Sequence, residues 1–245
     1  MTDRSIPSSK HGMRLKLQPL AEILLLLLLT DFLAILAHFA FRLVPQFNSL
    51  YWAISSDRGF GETFQYIKEF WLVCSFAMLA RIRAEWAYLS FSLLFGYLLI
   101  DDAFFVHEQV GEWIATTQNF QPVLGLRAVD LGELVVVAST GLFFLVLIGV
   151  SYWLGTQKFR WVCKRIFVLL GCLAFVGVVL DALHIMMEVI NRPGIPLGFA
   201  FELAEDGGEM IVMSLLCWYG ISLLKQPDLS PVRTNEVIVS STSLK

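Results

Sequence analysis

The sequence lacks the residue patterns that mark most soluble enzymes, and each absence excludes a class of protein. Only four cysteines occur in 245 residues, none in C-x-x-C spacing, which argues against a disulfide framework and against thiolate metal sites. All four lie in apolar segments, and we expect them to be buried. There is no glycine-rich phosphate loop and no basic stretch interleaved with aromatic residues, so nucleotide and nucleic-acid binding have no support. The four histidines are too few for the histidine-rich pattern of membrane desaturases.

Long apolar runs dominate what is present. Hydrophobic residues make up 57% of the chain and charged residues 16%, which is too apolar for a soluble domain of this size. Six runs approach the ~20 residues that cross a bilayer. They cover residues 18–43, 65–81, 85–106, 130–154, 163–188 and 198–224. The first run is followed by no small-residue cleavage site and indicates a retained helix. We therefore predict an all-α polytopic membrane bundle with six transmembrane helices.

The distribution of lysine and arginine predicts how this bundle lies in the membrane. With the N-terminus in the cytoplasm, 13 of the 18 basic residues fall on the inner side, as the positive-inside rule expects. Residues 1–17 then form a basic cytoplasmic segment, residues 18–224 the six-helix domain and residues 225–245 a flexible cytoplasmic tail. We expect a multi-pass protein of the inner (plasma) membrane that contacts membrane lipids, and a homo-oligomer remains an open alternative to a monomer.

Three stretches place acids and histidines inside this apolar sequence. They are DDAFFVHE at 101–108, DALHIMME at 181–188 and ELAEDGGE at 202–209. An ionised carboxylate at the centre of a membrane helix costs at least ~2.5 kcal/mol. A chain that accepts this cost many times over uses those groups to bind or move something charged. In the predicted topology all three stretches reach the outer half of the bilayer.

Helical spacing indicates that the second stretch presents its polar groups together. Asp181, His184 and Glu188 stand at i, i+3 and i+7, and they fall within about 60° of one another on a helix. The acid-x-x-His spacing of the first two is that of carboxylate di-metal bundles, in which Glu and His side chains project inward together. This stretch therefore predicts metal ligands.

The other two stretches add carboxyls at the same depth. Four acids of the third stretch fall within about 100° of one another: Glu202, Glu205, Asp206 and Glu209. In the first stretch, Asp101, Glu108 and Glu112 share a stripe on a regular helix. His107 points about 100° away from that stripe, unless the helix ends near Phe105.

Close carboxylates cannot all ionise without compensation, so some are protonated or divalent cations lie among them. The only cations that the sequence places nearby are Arg127 and Arg192. Because oxygen-rich sites with few imidazoles suit hard or borderline metals, we predict a divalent metal ion: Fe, Mn, Zn or Ca. The predicted ligands are Asp101, Asp102, His107, Glu108, Asp181, His184, Glu188, Glu202, Glu205 and Glu209. The pattern leaves open whether Asp31, His38 and Glu133 belong to the site.

Two of the stretches resemble boxes of a family of uncharacterised bacterial multi-pass membrane proteins. DDAFFVHE is similar to that family's D-E-x-x-x-x-H-E box, and ELAEDGGEM to its E-E-x-x-E-M box before the last helix. The matching residues are Asp101, Asp102, His107 and Glu108 in the first box, and Glu205, Asp206, Glu209 and Met210 in the second. Asp102 and Asp206 stand where the family has Glu, and Val212 stands where it has Gly. The resemblance implies a site but no particular reaction.

Three functions fit these observations. A metal-dependent membrane hydrolase or oxidoreductase would act on a lipid or other hydrophobic substrate, through a metal-activated water or a redox-active metal pair. A cation or proton transporter or sensor would use the acids as ion ligands, although the inner halves of the fourth and fifth helices lack ionisable groups to continue a path. A structural membrane subunit would use the metal for stability alone. The enzyme is the leading hypothesis from sequence.

Overall fold

Helices follow the apolar runs over most of the chain. The computed structural model describes the backbone of residues 10–46, 49–190 and 197–225, and the side chains of residues 20–46, 49–186 and 198–225. Its α-helices are α1 (Lys10–Leu43), α2 (Phe60–Ile82), α3 (Leu89–Phe104), α4 (Val106–Thr117), α5 (Ala128–Leu154), α6 (Gln157–Ala174), α7 (Asp181–Ile190) and α8 (Leu197–Lys225). A π-helical segment, Phe175–Leu180, joins α6 to α7 without a break. The described residues form no β-strand, which confirms the all-α prediction.

Five helical segments are long and apolar enough to cross a membrane. They are Leu20–Leu43, Trp86–Phe104, Ala128–Leu154, Gln157–Met186 and Gly198–Lys225. The run predicted at 65–81 corresponds to α2, which has 23 residues and so measures about 35 Å. Charged residues lower the mean hydropathy of α2, so it is not one of these five segments. Its length nevertheless suffices to span a ~30 Å hydrocarbon core.

The third predicted run ends where α3 meets α4. α3 ends just before Phe105, which adopts the left-handed conformation with φ 56°, and α4 follows directly. A non-glycine residue in this region costs ~1–2 kcal/mol. The guanidinium of Arg58 lies over the Phe105 ring, 5.4 Å from its centroid, and helps to hold the residue there. The single stripe predicted through Asp101, Glu108 and Glu112 is therefore wrong, because α3 and α4 have different axes.

Aromatic and aliphatic side chains of α2, α3, α6 and α8 form the hydrophobic core at the end of the bundle opposite the acidic stretches. Phe76, Phe91 and Phe95 are at most 1% exposed, and burial of each contributes ~1.5–3 kcal/mol. Cys217 is buried among them, as predicted for the cysteines, but Cys172 is exposed. The exposure of Cys172 corrects the prediction for that residue. Cys172 lies in the span 157–186, and only 6% of the most apolar window of that span is buried.

Two glycines let α4 and α5 cross closely. A Cβ at Gly111 would lie 2.6 Å from the backbone nitrogen of Glu133, and a Cβ at Gly132 would collide with the carbonyl oxygen of Gly111. Any larger residue at either position would push the helices apart. The crossing fixes α4 beside the start of α5 and places it next to the acidic stretches.

Candidate acidic site between the helices

Asp101 connects the end of α3 to the start of α4. Its Oδ1 accepts a hydrogen bond of 2.7 Å from the backbone N–H of His107, and its Oδ2 lies 3.1 Å from Nδ1 of the same residue. A helix start leaves such an N–H without an intrahelical partner, so the carboxylate caps α4 and lies at the positive end of its dipole. The interaction of the imidazole ring with the Asp101 carboxylate raises the pKa of His107 above its usual value. The break at Phe105 thus brings two predicted ligands together.

Glu69 on α2 faces Asp102 on α3, and the two carboxyls lie within hydrogen-bonding reach of each other. Glu69 is 1% exposed, and its Oε2 has no donor among the side chains that the structure describes. Two carboxyls form a hydrogen bond only when one of them carries a proton. Ionisation of both carboxyls would place two negative charges side by side in a buried site. Glu69 is absent from the predicted ligands, and its signal in the sequence is a Lys-Glu dipeptide inside an apolar run.

A second connected group lies between α7 and α8. Nδ1 of His184 lies 3.1 Å from Oε2 of Glu205, and the Glu205 carboxyl is within hydrogen-bonding reach of Asp181. The ring of Phe201 stacks on His184 at 6.0 Å and 12°, which fixes the imidazole plane. The predicted i, i+3 pair therefore meets an acid of the next helix. The side chain of Glu188, the third member of the predicted set, lies outside the described residues.

Glu209 interacts with both groups and lies about 18 Å along α8 from its start. The charges that act on it include those of Asp102, Asp206 and Glu205. A Cβ at Gly177 would collide with Oε1 of Glu209, so only glycine leaves room for the carboxyl. Gly177 belongs to the π-helical segment, and such single-turn irregularities occur frequently at functional sites.

A buried ion pair lies beside these acids. Lys68 is 0% exposed and Asp31 is 1% exposed, and Nζ of the lysine lies 3.1 Å from Oδ1 of the aspartate. The same Nζ donates to the carbonyl oxygen of Met210 at 2.9 Å. The hydroxyl of Ser214 donates to Oδ2 of Asp31 at 2.5 Å. These contacts join α1, α2 and α8, so Asp31, whose membership of the site the sequence leaves open, serves this ion pair.

The buried lysine corrects a prediction about charge. Lys68 lies inside the bundle and interacts with Glu69. Arg127 and Arg192 are therefore not the only cations near the acids. Arg127 is paired with Asp130 at 2.7 Å at the start of α5, where the two form a capping box. Arg192 lies outside the described residues.

Glu202 belongs to a separate ion pair near the end of α1. Its Oε2 accepts from Arg42 at 2.5 Å, and its Oε1 accepts from the hydroxyl of Ser55 at 2.5 Å. His38 is fully buried, and its Nδ1 accepts from the backbone N–H of Ile54 at 3.3 Å. Nε2 of that histidine lies 3.9 Å from Glu202, beyond hydrogen-bonding distance. Both oxygens of Glu202 are thus engaged before any metal is considered.

The remaining acids lie at the edge of the site. Glu108 and Glu112 are exposed on α4. Partial burial raises the pKa of Glu108 above its usual value. Glu133 lies half-buried where α4 crosses α5, within electrostatic reach of His107. These three acids are therefore neighbours of the site. They do not connect the group around Asp102 to the group between α7 and α8.

We call the mutually interacting groups the acidic cluster. It comprises Glu69, Asp101, Asp102, His107, Asp181, His184, Glu205, Asp206 and Glu209. In the part of the chain that the structure describes, no three His, Cys, Asp or Glu side chains form a group that could hold a metal ion as they stand. The predicted metal centre stays a prediction.

Comparison with known proteins gives a family but no activity. A family described as a domain of unknown function (DUF8692) matches residues 19–223, and the chain belongs to this family. The matched range contains every member of the acidic cluster. No curated protein and no solved structure matches the chain.

Proposed function

We propose that this membrane protein binds a cation at the acidic cluster in exchange for protons, and acts as a cation sensor or a cation–proton exchanger. One observation carries the proposal: the carboxyl pairs Glu69–Asp102 and Asp181–Glu205 both lie within electrostatic reach of Glu209. Each pair holds a proton while no cation is bound, because carboxyls so close cannot both be ionised. A divalent cation that enters between them replaces those protons as the compensating charge.

The charge balance around the cluster supports this exchange. The cluster contains seven carboxyls and two histidines, and the neighbouring Lys68 is already neutralised by Asp31. Protein cations therefore cannot compensate all seven carboxylates. Carboxylate ligands with a minority of imidazoles suit Ca²⁺, Mn²⁺, Fe²⁺ or Zn²⁺.

Access to the cluster favours binding from one side. His107 is partly exposed and Glu108 is exposed on α4, so a hydrated cation reaches the cluster from that end. At the opposite end, the buried rings of Phe76, Phe91 and Phe95 fill the space between the helices. A sensor, or an exchanger that changes conformation, fits this arrangement better than an open channel does.

The proposal includes α2 as a sixth membrane span, with residues 1–17 and 225–245 in the cytoplasm of a cell with an inner (plasma) membrane. The charges of α2 do not prevent it from spanning the membrane, because Lys68 pairs with Asp31 and Glu69 shares a proton with Asp102. Membrane helices tolerate ionisable groups that face the bundle interior and pair with one another. The entry end of the cluster is then the outer face of the membrane.

Manganese titration of the protein in lipid nanodiscs tests the proposal. Mn²⁺ binding is followed by electron paramagnetic resonance, and proton release is followed with a pH indicator in weak buffer. We expect saturable binding with release of at least one proton per ion. Glu209→Gln and Asp181→Asn remove central carboxyls and should abolish both signals. Glu112→Gln removes an exposed acid of α4 and should leave both unchanged.

Other outcomes of the titration have distinct meanings. Binding that is absent, or that persists unchanged in Glu209→Gln, overturns the proposal. Tight metal found in the purified protein by elemental analysis, with no proton release on reloading, points instead to a resident metal. Cation uptake into proteoliposomes that Glu209→Gln abolishes distinguishes an exchanger from a sensor.

A metal-dependent enzyme acting on a lipid or other hydrophobic substrate is the second candidate. The contact of Asp181, His184 and Glu205 favours it, because histidine and carboxylate side chains are both ligands of hydrolytic zinc sites. Such a metal would supply an activated water. Hydrolysis of a lipid ester that depends on added Zn²⁺ or Mn²⁺, and that is lost in His184→Ala, would support this reading.

A further inference from the structure

A groove lies between α1 and α2. Its walls are apolar apart from Thr30, and they include Leu33, Ala34 and Ala37 of α1 and Phe60 and Phe64 of α2. Trp52 lies over one end, and Ile54, 6% exposed, forms part of the floor. The groove has a volume of about 200 Å³.

The groove opens at the surface of the protein. Leu33 is 56% exposed and Phe60 is 59% exposed, and both lie on its rim. α1 is one of the membrane spans, yet only 11% of its most apolar window is buried. The contacts of α1 lie mainly along α8, so the side of α1 that faces α2 is only partly filled by protein.

From this geometry we infer that the groove binds an acyl chain of a bilayer phospholipid. An apolar protein cavity of ~150 Å³ binds a ring the size of benzene, so the groove holds a longer stretch of hydrocarbon. It extends from Thr30 to Ala37, about 10 Å along the axis of α1. A bilayer acyl chain runs roughly parallel to that axis. Trp52 lies at one end of the groove, and tryptophan is enriched at the level of lipid headgroups.

The bound chain has a structural consequence for the buried ion pair. Phe64 forms one wall of the groove, and its ring also covers the ammonium of Lys68, 4.8 Å from the ring centroid. An acyl chain packed on the outer face of Phe64 holds that ring over the lysine. It also braces α1 against α2, where the protein itself provides little contact.

Photo-crosslinking in nanodiscs tests the inference. The probe is a phosphatidylcholine with a diazirine in its acyl chain, and labelled peptides are identified by mass spectrometry. We expect labelling of the groove residues to exceed clearly that of Val146, which is 58% exposed on α5 and faces bulk lipid. Ala34→Phe and Ala37→Leu fill the groove and should abolish the excess. Val146→Phe adds similar bulk outside the groove and should leave it intact.

Two results would overturn the inference. In the first, the groove of the wild-type protein is labelled no more strongly than Val146. This would show that the groove does not bind an acyl chain more tightly than the general lipid-facing surface does. Occupation of the groove by a second copy of the chain would also overturn it. The lipid probe would then be excluded, and the variant Ala34→Cys would form a covalent dimer on oxidation. The wild-type labelling pattern decides the question even where a filling variant fails to fold.

Discussion

Replacing Lys68 by methionine removes the ammonium from a site where Lys68 is 0% and Asp31 is 1% exposed. The carboxylate of Asp31 then keeps only the hydroxyl of Ser214 as a hydrogen-bond donor among the side chains described. Removing one partner of a buried pair costs about 3–5 kcal/mol, because the remaining charge is left without compensation. We expect that loss in the free energy of unfolding, and the same loss when Asp31→Leu leaves the lysine alone.

The double variant should behave very differently from the sum of the two. Independent effects would add to about 6–10 kcal/mol, whereas replacing both ions by apolar residues of similar volume is often neutral. The hydroxyl of Ser214 loses its acceptor, which costs about 1–3 kcal/mol. We therefore expect the variant with both Lys68→Met and Asp31→Leu to lie within about 3 kcal/mol of the wild type.

Steric trapping in bicelles measures these free energies without leaving a lipid environment. Lys164→Met is the matched control, because Lys164 is exposed on α6 and contacts the ring of Trp161. Surface substitutions of that kind change stability by about 0.5 kcal/mol or less. The ion-pair reasoning would be refuted if the single variants at Lys68 and Asp31 lost no more unfolding free energy than this control. It would also be refuted if the double variant lost as much as the two single variants together.

Three further predictions concern the acidic cluster and its supports. Gly177→Ala places a Cβ against the carboxyl that the glycine accommodates, so Mn²⁺ binding should be lost, whereas Gly171→Ala, with nothing within 4 Å of its added Cβ, should bind normally. Gly111→Ala should destabilise the protein by about 1–3 kcal/mol in the same trapping assay, because α4 and α5 must separate; a loss no larger than for Gly171→Ala would contradict the close crossing. The raised pKa of His107 means that its charged form stabilises the fold fully below its unfolded pKa of about 6.5, and that this contribution disappears as pH rises through the folded value. Thermal midpoints measured between about pH 6 and pH 9 should fall accordingly in the wild type and less in Asp101→Asn, and identical profiles would exclude the pairing.

Apolar length and helical spacing predict much of the fold. The runs at 130–154 and 198–224 match α5 and α8 to within about two residues, because long apolar segments in lipid have no alternative to a helix. The i, i+3 spacing of Asp181 and His184 also predicts that they act together, since α7 is regular after the π-helical segment. In both cases the determining interactions lie within one segment.

What the sequence does not reveal depends on contacts between segments. The break at Phe105 has neither proline nor glycine, and the only trace of it is that His107 falls off the stripe of Asp101. The position of Lys68 is likewise invisible, since a lysine near the start of an apolar run is expected to be solvated. Only packing against Asp31 on another helix makes its burial tolerable.

The burial of Lys68 strengthens the argument for a cation at the cluster. A lysine that neutralised Glu69 directly would reduce the need for any bound ion. Its Nζ instead donates to Asp31 and Met210, so its charge is compensated by Asp31. In the proposed exchange, Glu69 shares a proton with Asp102, and the charges that act on Glu209 include those of Asp102, Asp206 and Glu205. Under that proposal, protons or a bound cation supply the missing positive charge, and the two exchange because both reach the same carboxyl oxygens.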